Sequence, residues 1–345
     1  MNKKNLTLIV IVLLVWNIIL TILFINNKEA KQTITEENVY GISTDLTKVA
    51  KEGYSSVVII KSSYGNQSGF IYKQNDNKAY IVTTYHGIGN DQIVSVGFVN
   101  GKSVTGTVIG CDKQMDIAVL SIDSDYLLNV VKCGDNTFTN NGEFVICINA
   151  CNDDQPINDV ELGIVSNNLI CIKDNVIINK ENFNIQKEMI GLSLNASEGY
   201  SGSPIFNMKN EVIGMIQLSD KVRTYSLTIN EIKIIVDNII NETPVNKINL
   251  GVQGRYISNL EDYDRNTLNI PFELTSGYFI NEVTNNSLSS KLNVLPSDII
   301  VSINGNIINN QKDLLNTLYS NTSNEIVLSI YRDDQYIELK GSIND

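Results

Sequence analysis

The chain has 345 residues, 43% of them apolar and 7% aromatic, enough for ordinary hydrophobic cores and more than one domain usually holds. Five prolines argue against a proline-rich or fibrous architecture. A net charge of −12, with no Lys/Arg cluster beyond scattered pairs, argues against nucleic acid as a partner.

After a short leader (1–5), residues 6–25 (LTLIVIVLLVWNIILTILFI) carry no charge, and as a helix they would rise roughly 30 Å, enough to span a lipid bilayer core. A cleaved signal peptide is the rival reading. Its apolar region is shorter and ends in small residues, whereas this run leads into Phe24-Ile25-Asn26-Asn27. A single transmembrane anchor is therefore expected. Lys3 and Lys4 before it nearly balance Lys28 and Lys31 after it. The leader is too short for a domain, which puts the N-terminus inside and the rest outside the cytoplasm.

Residues 26–45 read as a polar stalk and LTKVAKEGY, from Leu46, as a short amphipathic helix. From Ser55 the pattern changes to short β-rich runs broken by turn signals: SVVIIKS, SGFIYK, KAYIVTTY, QIVSVGFV, SVTGTVIG, IAVLSI, then EFVICINA, VELGIVS, NVIINK, SPIFNM, EVIGMIQ and TYSLTI. Such spacing predicts an all-β barrel or sandwich. Residues 230–240 carry apolar side chains at a helical period and close this region. The first domain is thus drawn at 46–241, a linker at 242–249, and a smaller α/β domain at 250–345.

The five cysteines (Cys111, Cys133, Cys147, Cys151, Cys171) are odd in number, which leaves at least one thiol unpaired and the pairing of the rest open. Cys147-x-x-x-Cys151 has no second pair at ligand spacing and only one histidine to join it, so no metal site is expected. The cysteines read as small buried hydrophobes.

Chemistry concentrates at three places. Gly199-Tyr200-Ser201-Gly202-Ser203-Pro204 forms a turn between two β runs, where glycines allow a tight backbone that projects a hydroxyl. His86, the only histidine, follows the strand AYIVTTY. Asp116 directly precedes IAVLSI. A serine nucleophile needs a base, and the base needs an orienting carboxylate. Each signal alone is weak, but their joint appearance beside strands of one β region points to acyl transfer.

These residues resemble the HtrA/Deg family of trypsin-like serine proteases, from about Leu46 to the C-terminus. GNQSGFIYK, IVTTYHGI, CDKQMDIAVLSI, CGDNTFTNNGEFVICINA, VELGIVS and GYSGSPIFNMKNEVIGM resemble successive family segments. The resemblance implies a double β-barrel protease with His86, Asp116 and Ser201 as its triad, and an oxyanion hole from the amides of Gly199 and Ser201. It places the primary pocket at Asn195, with Ala196 beside it and Met215 and Ile216 as a wall. A neutral floor there disfavours basic side chains. Tyr200 and Ser203 depart from the family's Asn and Gly, and CINACND replaces its G-N-P step.

Residues 250–260 and 276–308 resemble an HtrA-type PDZ domain, with Leu250, Gly251 and Val252 as the peptide-carboxylate loop, Lys312–Ser320 as the groove helix, and Asn293 and Ser297 in place of glycines. The family implies unfolded polypeptides as substrates, peptide C-termini as PDZ ligands, trimeric assembly and no cofactor. Two other readings stand beside this one: a non-catalytic tethered binding protein on a degenerate protease fold, and a signalling protease with one dedicated target.

Overall fold

The computed structural model describes residues 46–152, 155–178, 181–197, 199–219, 223–242, 248–321 and 323–343. For 151, 152, 155–158, 171, 173–178, 181–186 and 218 only the backbone is described. The leader, the apolar run 6–25, the stalk and 243–247 of the linker lie outside the described residues. Among the described residues no helix is long and apolar enough to cross a membrane.

Helix α1 (Leu46–Tyr54) buries Val49, Ala50 and Gly53 on one face. Strands β1 (Val57–Ser62), β2 (Gly65–Asn75), β3 (Lys78–Thr83), β4 (Ile93–Phe98), β5 (Ser103–Asp112) and β6 (Ile117–Asp123) close a barrel in the order β1-β2-β3-β6-β5-β4. Val58, Ile60, Ile81, Ala118 and Leu120 fill its interior. The alternate residues Val57, Ile59, Val82, Ile117 and Val119 face a second core shared with the next barrel. Both faces of these strands are covered, so their sequences are apolar throughout instead of alternating.

Strands β7 (Lys132–Cys133), β8 (Phe144–Asn152), β9 (Gln155–Ile178), β10 (Glu181–Leu192), β11 (Pro204–Asn207), β12 (Glu211–Ser219) and β13 (Thr224–Thr228) form the second sheet. Its path runs β11-β8-β9-β10-β13-β12, and pairing of β11 with β12 closes this path as well. The expected double barrel is the architecture observed. The run VELGIVS and the described part of NVIINK, 175–178, belong to one long strand, β9, which pairs with β10 in an extended hairpin. Of the cysteines with described side chains, Cys147 is buried, Cys133 half-buried and Cys111 exposed, all as free thiols.

Helix α2 (Ile229–Ile240) begins at Thr228, whose hydroxyl accepts from the Glu231 N–H. That cap satisfies one of the orphan donors of the first turn. Its Ile232, Ile235 and Val236 join the shared core.

The C-terminal part carries β14 (Val252–Tyr256), α3 (Asp262–Thr267), β15 (Tyr278–Val283), α4 (Leu288–Lys291), β16 (Ile299–Ile303), β17 (Asn306–Ile307), α5 (Gln311–Tyr319), β18 (Glu325–Arg332) and β19 (Gln335–Ser342). Its sheet runs β14-β15-β16-β18-β19 with β17 paired to β16, over a core that includes Ile280, Ile300, Leu328 and Ile330. Asn293 and Ser297 adopt the left-handed backbone, at φ 60° and 74°, that glycine takes at low cost. Asp298, almost fully buried, forms a two-pronged ion pair with Arg332 at 2.6 and 2.7 Å.

The C-terminal part is docked on the second barrel. Leu315 and Tyr319 of α5 enter the shared core beside α2, and the Tyr319 hydroxyl donates to Glu231 at 3.2 Å. Glu188 on β10 accepts from the hydroxyls of Tyr278 at 3.0 Å and Tyr256 at 3.2 Å. Burial first, and then the nearby Glu231 carboxylate, push the Glu188 carboxyl up to about 7, against the pull of those hydroxyls. A carboxyl raised in the folded state favours folding below its ordinary pKa, and that contribution is lost as pH rises through about 7. Glu188→Gln, neutral at every pH, is therefore expected to raise Tm by roughly 2–4 °C at pH 8 and to change it little at pH 5. Thermal melts at the two pH values check this, and a lower Tm at pH 8 would contradict it.

Candidate active site

His86, Asp116 and Ser201 meet where the two barrels face each other. His86 sits in a tight turn just past β3, where the Ile88 and Gly89 N–H groups both donate to the Tyr85 carbonyl. Tyr85 is buried, and its hydroxyl donates to Asn90 Oδ1 at 3.3 Å. Asp116 ends the turn between β5 and β6, in which Asp112 accepts from the Met115 N–H at 2.8 Å. Asp116 has φ 56°, a left-handed conformation that Asp tolerates better than most residues.

The Asp116 carboxylate accepts from the His86 backbone N–H at 2.8 Å and lies 2.8 Å from its ring Nδ1. The ring's other nitrogen, Nε2, is 3.0 Å from the Ser201 hydroxyl. An ionised carboxylate can only accept, so Nδ1 carries the proton and Nε2 is left to accept from Ser201. Burial would lower the imidazole pKa, but the hydrogen bond and charge of Asp116 outweigh it. The net direction is upward, with Lys187 opposing.

The serine turn is pinned from both barrels. Its Gly202 N–H donates to Ile216, its Ser201 carbonyl accepts from Ser68 on β2, and Ser203 accepts from the Ile216 N–H. Gly202 has φ 82°, and a Cβ there would stand 2.0 Å from the Ser68 carbonyl oxygen. Gly199 is also left-handed, at φ 93°. Among the described residues nothing accepts from the Gly199 or Ser201 amide. The arrangement can therefore present a hydroxyl, a base and backbone donors to one carbonyl group.

Two of the three departures noted in the sequence, Ser203 and the CINACND segment, meet in space. Ser203 donates to Asn149 Oδ1 at 3.5 Å, and Ser68 donates to the same oxygen at 2.6 Å. Asn149 lies in the CINACND segment, so the extra hydroxyl of Ser203 points to a partner supplied by the other substitution.

The pocket residues divide. Asn195 is exposed, and its N–H donates to Glu161 at 3.3 Å. Ile216 shares a cluster with Leu194, Ala196 and Tyr200, whereas Met215 points the other way, into the core beside α2. Only one of the two expected wall residues therefore faces the Ala196 side. Glu161, which also accepts from the Tyr200 hydroxyl at 3.4 Å, carries no motif that would have marked it in the sequence.

At the expected carboxylate loop, Leu250 is buried and its carbonyl accepts from Ser289. Gly251 has φ 70°, its N–H donates to Asn249 Oδ1 at 2.9 Å, and its carbonyl accepts from Thr284. Val252 opens β14, the outermost strand of the sheet. The helix expected at Lys312–Ser320 spans Gln311–Tyr319, one residue earlier at each end.

Comparison with known proteins places this geometry. Residues 67–215 match the trypsin-like peptidase domain family. The chain is 26% identical to the serine protease Do-like HtrA of Lactobacillus helveticus over 288 residues, 81% of this chain and 68% of that protein. It is 28% identical to the serine protease Do-like HtrB of Bacillus subtilis over 259 residues, 73% of this chain and 56% of that one. Residues 67–215 thus carry a trypsin-like peptidase domain, and the chain is similar to HtrA-type serine proteases. Among solved structures, the HtrA-type protease AlgW with a tripeptide matches with a TM-score of 0.58 at 16% identity, over 86% of this chain and 95% of that one. That likeness concerns the fold. The chain spans a little over half to two thirds of the length of the curated relatives named here.

Proposed function

We propose that this chain is a membrane-anchored serine endopeptidase that cleaves unfolded or damaged polypeptides outside the cytoplasm, with a PDZ-type C-terminal domain that takes peptide C-termini. The observation that carries the catalytic part is the pair of contacts at His86, 2.8 Å to Asp116 and 3.0 Å to Ser201. His86 removes the Ser201 proton as the oxygen attacks the scissile carbonyl, and the Gly199 and Ser201 amides stabilise the oxyanion. The imidazolium, held by Asp116, then protonates the leaving amine, and water releases the acyl group by the reverse sequence.

The anchor rests on the uncharged run 6–25, and the extracytoplasmic placement on the short leader before it. The PDZ reading draws support from the five-stranded path, the left-handed Gly251 turn and the outer edge of β14, to which an extended peptide can add as a strand. A carboxylate at the Gly251 amide would displace the Asn249 side chain.

The test is incubation of the full chain with an unfolded polypeptide, with and without a fluorophosphonate that labels activated serines. Cleavage, loss of cleavage on labelling, and the label mapped to Ser201 are expected. An intact polypeptide and an unlabelled Ser201 would favour a non-catalytic binding protein instead.

General-base action needs the neutral ring, and the His86 pKa is raised above its ordinary 6.5. The rate should therefore fall as pH drops through a midpoint above 6.5, as a one-proton titration, since the chain holds one histidine. Far-UV circular dichroism should stay constant over the same range. An acid limb steeper than one proton, or one centred well below 6.5, would argue against His86 as the base.

A further inference from the structure

Lysine is among the residues least often fully buried, yet Lys187 on β10 is only 4% exposed. Its ammonium donates to Gln217 Oε1 at 2.8 Å. Gln217, on β12 and 3% exposed, donates through Nε2 to the carbonyls of Met115 at 2.6 Å and Asp116 at 3.1 Å. Those two carbonyls belong to the turn that holds Asp116 at its left-handed φ of 56°. An ammonium has donors and no acceptor. Its contact therefore fixes which end of the Gln217 amide faces it, and directs both amide hydrogens onto the turn.

We propose that Lys187 and Gln217 are positioning residues for Asp116: the buried pair clamps the turn that aims the carboxylate at His86. Neither side chain is placed to touch a substrate or the reacting atoms. The inference rests on the reading of His86, Asp116 and Ser201 as an acyl-transfer triad.

The groups around the ring fix the expected sign. The Asp116 carboxylate faces it from the β5–β6 turn and favours the imidazolium. Asp112, in the same turn, accepts from Met115, and Lys113 lies over the Tyr85 ring, 5.5 Å from its centroid. Lys187 disfavours the imidazolium. Glu188, next along β10, lies on the opposite face of the strand and reaches Tyr256 and Tyr278 instead. Removal of the Lys187 charge should thus make His86 easier to protonate.

The experiment uses the full chain in two forms. In the active protein, kcat and KM for a short chromogenic peptide are followed against pH. In a Ser201→Ala background, the single imidazole resonance is titrated by NMR. Lys187→Met should lower kcat by about 10- to 100-fold with little change in KM. It should also move both the acid limb and the NMR midpoint to higher pH. Lys187→Gln keeps a donor but loses the charge, so the midpoint should move while more turnover survives. Lys187→Arg should restore the wild-type midpoint and most of kcat. Gln217→Met, with Lys187 intact, should lose turnover as Lys187→Met does.

A folded Lys187→Met protein with wild-type kcat and an unmoved midpoint would overturn the proposal. If that variant fails to fold, an unmoved midpoint in Lys187→Gln overturns the charge effect, and wild-type kcat in Gln217→Met overturns the clamp. Should the parent chain hydrolyse nothing, the triad reading fails. The NMR titration then still decides whether Lys187 acts on His86.

Discussion

Replacement of Ser201 by alanine is expected to lower kcat/KM for peptide hydrolysis by about 10⁴- to 10⁶-fold, with the circular dichroism spectrum unchanged. The substitution removes the hydroxyl and its 3.0 Å contact with His86 Nε2, and leaves the backbone bonds of the turn in place. The turn is held by backbone bonds to Ser68 and Ile216. His86→Ala should fall into the same range, because no second histidine exists to act as base. The Ser201→Ala, His86→Ala double variant should be little worse than either single change, since residues that act as one unit do not contribute additively. Asp116→Asn tests the tautomer: an amide can donate to Nδ1 and turn the ring's proton toward Ser201, for a loss of about 10⁴-fold. Initial rates at matched protein concentration measure all four. A Ser201→Ala protein that kept a tenth of parental activity would remove the serine from the mechanism.

Gly202→Ala is expected to damage both stability and activity. A Cβ at this position would lie 2.0 Å from the Ser68 carbonyl oxygen and 2.7 Å from the Thr83 hydroxyl, and Ser68 offers backbone, which cannot swing aside. The residue also sits at φ 82°. Left-handed backbone costs an alanine about 1–2 kcal/mol, and overpacking typically adds about 1–3 kcal/mol. Any relief must move Ser201 relative to His86, so activity should fall by more than about 100-fold even in molecules that fold. Gly142 supplies the control. It has φ 87°, and a methyl group there would meet no atom within 4 Å, so Gly142→Ala should cost only the backbone contribution. Urea unfolding of both variants separates the two effects, and equal losses of stability would show that the Ser68 contact is unimportant.

Much of this is legible from residue patterns, for identifiable reasons. The helices at Leu46–Tyr54 and Ile229–Ile240 carry apolar residues at helical spacing, and each buries the face so marked. His86 and Ser201, 115 positions apart, can be linked because the chemistry needs one base and the chain offers one histidine. Long-range polar pairing is not legible. Lys187 carries no motif that marks it in the sequence, and only the fold brings it to Gln217 and the Asp116 turn. Ser203 and Asn149 read as two unrelated departures until their hydrogen bond joins them. The β9–β10 hairpin breaks into pieces in the sequence because Asn, Asp and Lys interrupt its apolar runs, while the cross-strand ladder continues through them. At Met215 and Ile216 a strand's alternation sends neighbours to opposite faces, so both cannot line one pocket.

The core beneath α2 has a consequence for how this chain can change over time. Leu315 and Tyr319 are C-terminal residues, yet they complete an apolar cluster otherwise built by the barrels. A recombination event that exchanged the C-terminal part for an unrelated one would leave Ile232, Ile235 and Val236 without those neighbours, and Glu188 and Glu231 without their tyrosine donors. The two parts are thus not interchangeable modules on a string. A change at Leu315 or Tyr319 on α5 would therefore be felt at Ile232, Ile235 and Val236 on α2, which share their core.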